Sequence, residues 1–304
     1  MFINQAYKGD NTWWRVLVTT TLTAGIFVVN FIAFFFMSKE QMDEAYQSMS
    51  EIPNNLALFI NLAPFILLLG LLFLLVRVLH KRSILSLTTS RKDIDFKKIL
   101  FSFGLIVTMT IAAFAVSYSM DSSAILWNFN PMKFGILFII SILLFPFQIG
   151  FEEYLFRGYL MQQIGIIANN RWFPLLITSV MFGVFHSANP EVAKMGYGVM
   201  VFYIGTGFFL GIMTLMDESL ELALGFHLGN NLMAALLITT DFSAIHTDAV
   251  FKYSGAENII DMLNEMIVSI AIVYPIILFI FAKKYNWTQW SAKLAGKIQP
   301  QVHQ

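Results

Sequence analysis

The stretch Glu152-Glu153-Tyr154-Leu155-Phe156-Arg157 decides how the chain is read, because it closes a run over residues 134–151 that contains no charged side chain. Two adjacent carboxylates and a guanidinium are thereby carried into, or next to, a segment apolar enough for lipid. A charge near the middle of a membrane helix costs roughly 2.5 to 3.5 kcal/mol on insertion scales, and such groups are kept for a pathway, a relay or chemistry. The rest of the sequence is therefore read for what it brings to these residues.

The chain has 304 residues, 57% hydrophobic and 12% charged, with 31 Phe and a mean hydropathy of +0.68. That is far more apolar than a soluble domain and implies an integral membrane protein. The net charge is zero and no Gly-rich phosphate loop is present, so nucleic acid is not an expected partner. Cysteine is absent, which removes disulfides, thiolate metal ligands and cysteine nucleophiles. Chemistry has to come from Glu, His, Asn, Ser or Asp.

Apolar runs near the ~20 residues that cross a bilayer fall at residues 16–36, 56–76, 99–118, 134–164, 172–186, 195–216, 220–239 and 266–282. The first does not look like a cleaved leader, since it ends in Phe34-Phe35-Phe36-Met37 and not in small residues. Pro146 should kink the fourth run. Asp217, Glu218 and Ser219 are N-cap candidates for the seventh. The expected fold is an all-α, polytopic membrane helix bundle of about eight transmembrane helices. It forms a single membrane domain over residues 1–304, with a catalytic core at 134–240. With this arrangement fifteen of the 19 Lys and Arg lie on the side of the N-terminus, so both termini are expected to be cytoplasmic. The basic stretch between Arg77 and Lys98 follows from that bias and from attraction to anionic headgroups.

The same frame predicts depths. At ~1.5 Å per residue, Glu152 lies roughly 18 Å, His186 about 21 Å, His227 about 12 Å and Asn231 about 18 Å from one membrane face. Four polar side chains from three helices are thus expected at similar depth. Glu153 and Arg157 are four apart with the acid first, the favourable order for an intrahelical pair. Glu152 points about 100° away and is the carboxylate left available to take and return a proton. His227 and Asn231 share a helix face and are placed to donate two hydrogen bonds to one oxygen. Phe182, one turn before His186, is placed to pack on the imidazole. Peptide hydrolysis needs such a set: a base for the attacking water and donors for the oxyanion. No Gly-x-Ser-x-Gly elbow and no His-Glu-x-x-His pair occurs.

Glu-Glu-x-x-x-Arg at 152–157, Phe-x-x-x-His at 182–186 and His-x-x-x-Asn at 227–231 resemble, in order, the three motifs of the CPBP family. That family includes CAAX prenyl endopeptidases and bacterial Abi or bacteriocin-processing proteins. The resemblance implies an intramembrane glutamate endopeptidase acting on a membrane-associated or lipidated peptide or protein, in a bacterial plasma membrane. By the resemblance, Glu152 and His186 activate the water, His227 and Asn231 form the oxyanion hole, and Glu153 with Arg157 supports the site. No cofactor is expected.

Other readings stand beside this one. The ion cluster can be structural, the histidines can be bundle histidines, and Asn231 can be interhelical glue. Glu152, His186 and His227 can also be read as a two-His, one-carboxylate zinc site. The bundle can serve a non-proteolytic immunity or sensor-binding protein, or a transporter relaying protons through Glu152 and Glu153. Asn230 and Gln148 are given at most a supporting place. His80, His246 and His303 are expected to be solvated. Gly207-x-x-x-Gly211 and Gly225-x-x-x-Gly229 read as close-packing surfaces.

Overall fold

The computed structural model describes residues 1–240, 243–253 and 259–298. After a short 3-10 turn at Ile3–Lys8, the helices run α1 (Trp13–Phe36), α2 (Lys39–Ser50), α3 (Asn54–Leu62), α4 (Pro64–Val78), α5 (Leu85–Thr88) and α6 (Phe96–Met120). There follow α7 (Pro131–Glu153), α8 (Met161–Ala168), α9 (Trp172–Phe185), α10 (Pro190–Met195), α11 (Val199–Asp217) and α12 (Glu221–Leu236). The chain closes with α13 (Ile259–Val268), α14 (Tyr274–Lys284) and α15 (Trp290–Ala295).

Among the described residues six helical segments are long and apolar enough to cross a membrane, namely Trp13–Phe36, Asn54–Val78, Phe96–Met120, Pro131–Ala168, Val199–Asp217 and Met262–Lys284. Together they make the chain an integral, multi-pass helical membrane protein. Leu67, Phe36 and Met120 are among the large apolar side chains they leave outward. The two other expected spans are shorter: α9 has 14 residues and α12 has 16, roughly 21 and 24 Å at 1.5 Å per residue. α12 carries His227 and Asn231, and α9 ends one residue before His186. α12 is packed inside the bundle against α6 and α7, and α9 lies against α11 and α8.

Close approach explains how such polar helices are held. A Cβ built on Gly225 would stand 2.2 Å from the Ile99 carbonyl oxygen, and one on Gly229 would stand 3.1 Å from that of Phe103. One on Gly207 would stand 2.7 Å from the Ser179 carbonyl oxygen. Both Gly-x-x-x-Gly pairs are thus helix-packing surfaces, α12 on α6 and α11 on α9. A core of Phe151, Leu155, Phe156, Phe182, Phe209 and Phe226, among others, fills the centre.

The start of α2 is fixed by a capping box that Ser38 and Gln41 close, with bonds of 3.3 and 2.9 Å. Several local expectations are corrected. Asp217, Glu218 and Ser219 do not cap α12. Glu218 instead ends α11 in the left-handed region (φ 58°), while Asp217 accepts from Arg91 and Lys98 at 3.2 and 2.6 Å. Residues 238–239 leave the helix to join a small sheet, ordered β1 (Ile125–Trp127), β3 (Phe251–Tyr253), β2 (Ile238–Thr239). His80 is fully buried, not solvated: its Nδ1 donates to the Asp10 carbonyl at 2.8 Å, and Thr19 and Tyr159 hydroxyls each lie 3.0 Å from Nε2. His246 is half-buried, and His303 lies outside the described residues.

Candidate active site

The helix that bears the Glu pair does not stay α-helical. At Tyr154–Leu160 it widens into a π segment before α8 resumes. Pro146 sits inside α7 and offers no N–H to the turn before it. Such π segments recur at functional sites because they turn side chains away from the regular helical register. Here the segment begins one residue after Glu153 and contains Arg157.

Glu153 and Arg157 are both fully buried and pair at 3.0 Å. The same carboxylate oxygen, Oε1, accepts from His227 Nδ1 at 2.9 Å. Arg157 donates a second bond to the Gly207 carbonyl at 3.2 Å, and its guanidinium lies 4.4 Å over the Phe182 ring. One acid therefore joins three helices: its own, α12 through His227, and α11 through Arg157.

Glu152 is 8% exposed, and its two oxygens are treated differently. Oε1 accepts from Gln148, one turn earlier on α7. Oε2 is buried without a hydrogen-bond partner and lies 3.6 Å from His227 Nε2. An ionised carboxylate only accepts, so the Gln148 amide nitrogen must face it and the Gln148 oxygen must face away. That oxygen accepts from Asn231 Nδ2 at 3.0 Å, and Asn231 Oδ1 accepts from Asn230 at 3.4 Å. The result is a directed line of donors, Asn230 to Asn231 to Gln148 to Glu152. An Asn amide carries two N–H groups, so this line engages one and leaves the other for a ligand.

His186 stands just beyond α9, at its C-terminal cap. Its Nδ1 donates to the Phe182 carbonyl at 2.7 Å, which makes Nε2 the acceptor of a neutral ring. Phe182 also covers one side of the imidazole, with centroids 4.5 Å apart, as its position one turn earlier predicts.

The structure thus brings Glu152, Glu153, Arg157, His227 and Asn231 into one connected network, with Phe182 linking it to His186: the Phe182 ring lies 6.0 Å from that of His227. His227 Nδ1 is bonded to Glu153 and one Asn231 N–H to Gln148, which leaves His227 Nε2 and the second Asn231 N–H as the donors the pair has left for a shared oxygen. Among the described residues no three His, Asp or Glu side chains converge as a metal-ligand group. Two contributors carried little sequence signal. Gln148 has only its position four residues before Glu152. Tyr203, stacked on His186, has none.

Comparison with known proteins falls on the same part of the chain. The family of type II CAAX prenyl endopeptidases, Rce1-like, matches residues 132–233. The chain is 28% identical over 243 residues to the uncharacterized protein YyaK of Bacillus subtilis (strain 168), covering 76% of this chain and 80% of that protein. No solved structure matches. The matched residues 132–233 contain the Glu pair, His186, His227 and Asn231, so this part of the chain is similar to the Rce1-like family, in keeping with the resemblance to the CPBP family.

Proposed function

We propose that the protein is an intramembrane endopeptidase that hydrolyses a peptide bond in a membrane-associated or lipidated peptide or protein. One observation carries this reading. Both carboxylates keep a buried, unpartnered Oε2, but Glu153 is tied to Arg157 and His227 through its Oε1, whereas the free oxygen of Glu152 lies 3.6 Å from His227 Nε2 and its other oxygen is held only by the neutral Gln148 amide. Leaving a buried carboxylate oxygen unsatisfied costs free energy, and such exceptions mark working groups.

In the proposed reaction Glu152 takes a proton from water while His186 Nε2, with its free lone pair, orients that water. The hydroxide adds to the scissile carbonyl carbon and the oxygen becomes an oxyanion. The second Asn231 N–H and a protonated His227 Nε2 donate to it, with Glu153 as the counter-ion at Nδ1. Collapse of the adduct breaks the C–N bond, and Glu152 returns its proton to the leaving amine. General acid–base catalysis of this kind contributes about 10²- to 10⁴-fold. Preorganised oxyanion donors contribute about 10²- to 10³-fold each.

The test compares small secreted or lipidated peptides in cells carrying the wild type, Glu152→Ala and His186→Ala. Both variants should accumulate and fold normally, yet lose cleavage by at least about 10²-fold. If Glu152→Ala keeps the wild-type peptide profile and phenotype, the protease reading fails and the bundle acts by binding. The reaction is proposed without metal. Cleavage should survive strong chelators, and restoration of a chelated enzyme by zinc would replace the water-activating carboxylate with a metal site.

A further inference from the structure

We propose that Tyr203 is a positioning residue for His186, holding the imidazole so that Nε2, and not Nδ1, faces the reacting water. The inference rests on the role given to His186 above. His186 sits where regular structure ends: its backbone (φ −94°, ψ 0°) has left the α-helical region, and its N–H closes a tighter turn onto Gly183 at 2.9 Å. This bridge region is sparsely populated and is where many active-site residues sit. The ring must be fixed by what surrounds it.

Phe182 supplies one side from within the same helix. Tyr203 supplies another from α11: its ring stacks on the imidazole with centroids 4.5 Å apart and planes 25° apart. Near-parallel stacking at that separation is favourable and orients both planes. The phenol is itself tied down, since its oxygen accepts from Asn189 Nδ2 at 2.9 Å. Asn189 lies three residues after His186, so imidazole, phenol and amide form a closed ring of contacts joining the end of α9 to α11. The Nδ1 bond to Phe182 sets the tautomer, and the stack stops the ring rotating out of that bond. Tyr203 makes no direct contribution to the proposed chemistry; it acts through the geometry of His186.

The test uses the full-length protein in detergent, with ¹⁵N-labelled histidine and the His186 signals assigned by their loss in His186→Gln. In the wild type at alkaline pH, His186 should show a single tautomer protonated at Nδ1. Tyr203→Leu should give averaged nitrogen shifts and a kcat about 10²-fold lower with KM unchanged, the scale expected of a ~1 Å misplacement. Tyr203→Phe and Asn189→Ala keep the ring and lose only the tether, so both should stay within a few-fold of wild type and resemble each other. Should the leucine variant not fold, Tyr203→Met, which fills space adaptably, takes its place. A removed ring that leaves the Nδ1-protonated tautomer and kcat untouched overturns the proposal. The nitrogen shifts need no substrate, so they judge the clamp even if neither the wild type nor any variant cleaves a peptide, an outcome that would sink the protease reading alone.

Discussion

Replacing Arg157 with methionine tests whether the buried pair at the centre of the site is held by charge. Arg157 and Glu153 are fully buried and 3.0 Å apart, and the guanidinium is also bonded to the Gly207 carbonyl and seated over Phe182. Methionine fills much of the volume but leaves Glu153 in a dry interior without its counter-charge. Removing one partner of a buried pair costs about 3 to 5 kcal/mol, most of it the penalty of the charge left behind. At roughly 2 °C per kcal/mol, the lower end of the range for domains of 150 to 250 residues, Arg157→Met should melt about 6 to 10 °C below wild type in detergent. Glu153→Gln alone strands the guanidinium and should lose a similar amount. The double variant leaves no buried charge at this pair, and the new amide oxygen still accepts from His227 Nδ1. It should therefore melt at or above the temperature of either single variant, a coupling of about 2 kcal/mol or more. A shift of less than about 2 °C for Arg157→Met, or a double variant that loses the sum of the singles, would refute this account.

Two further outcomes follow from other parts of the fold. Gly225→Ala puts a Cβ 2.2 Å from the Ile99 carbonyl and should destabilise by about 1 to 3 kcal/mol. Gly104→Ala, with nothing within 4 Å of the new methyl, should stabilise by up to about 1 kcal/mol through helix propensity; melting points that move in the same direction would contradict the packing argument. Burial holds the His80 imidazole below its ordinary value of 6.5, although its bond to the Asp10 carbonyl works the other way. The unfolded chain therefore takes up a proton first. The contribution of His80 to stability is complete above about pH 6.5 and is lost as pH falls from there toward the folded value. His80→Gln should flatten the melting temperature between pH 7 and pH 5, and an unchanged slope would show that another group titrates.

Hydropathy alone determined that this is a multi-pass helical membrane protein, because lipid demands long apolar runs and the sequence has them at 16–36, 56–76 and 99–118 with ends only a few residues from those observed. The i to i+4 spacings likewise placed Glu153 with Arg157 and Phe182 with His186, since that spacing fixes a helix face whatever surrounds it. What the sequence did not hold was direction. That Glu153 takes both Arg157 and His227, that Gln148 stands between Glu152 and Asn231, that Tyr203 covers His186 and that His80 is buried all depend on which helices lie side by side. The contacts among these that cross between helices join residues from 17 to 83 positions apart, and close approach at Gly207, Gly225 and Gly229, where the absence of a side chain lets one backbone reach another, brings α11 and α12 within their reach. Spacing along a chain encodes a helix face; only packing decides what that face meets.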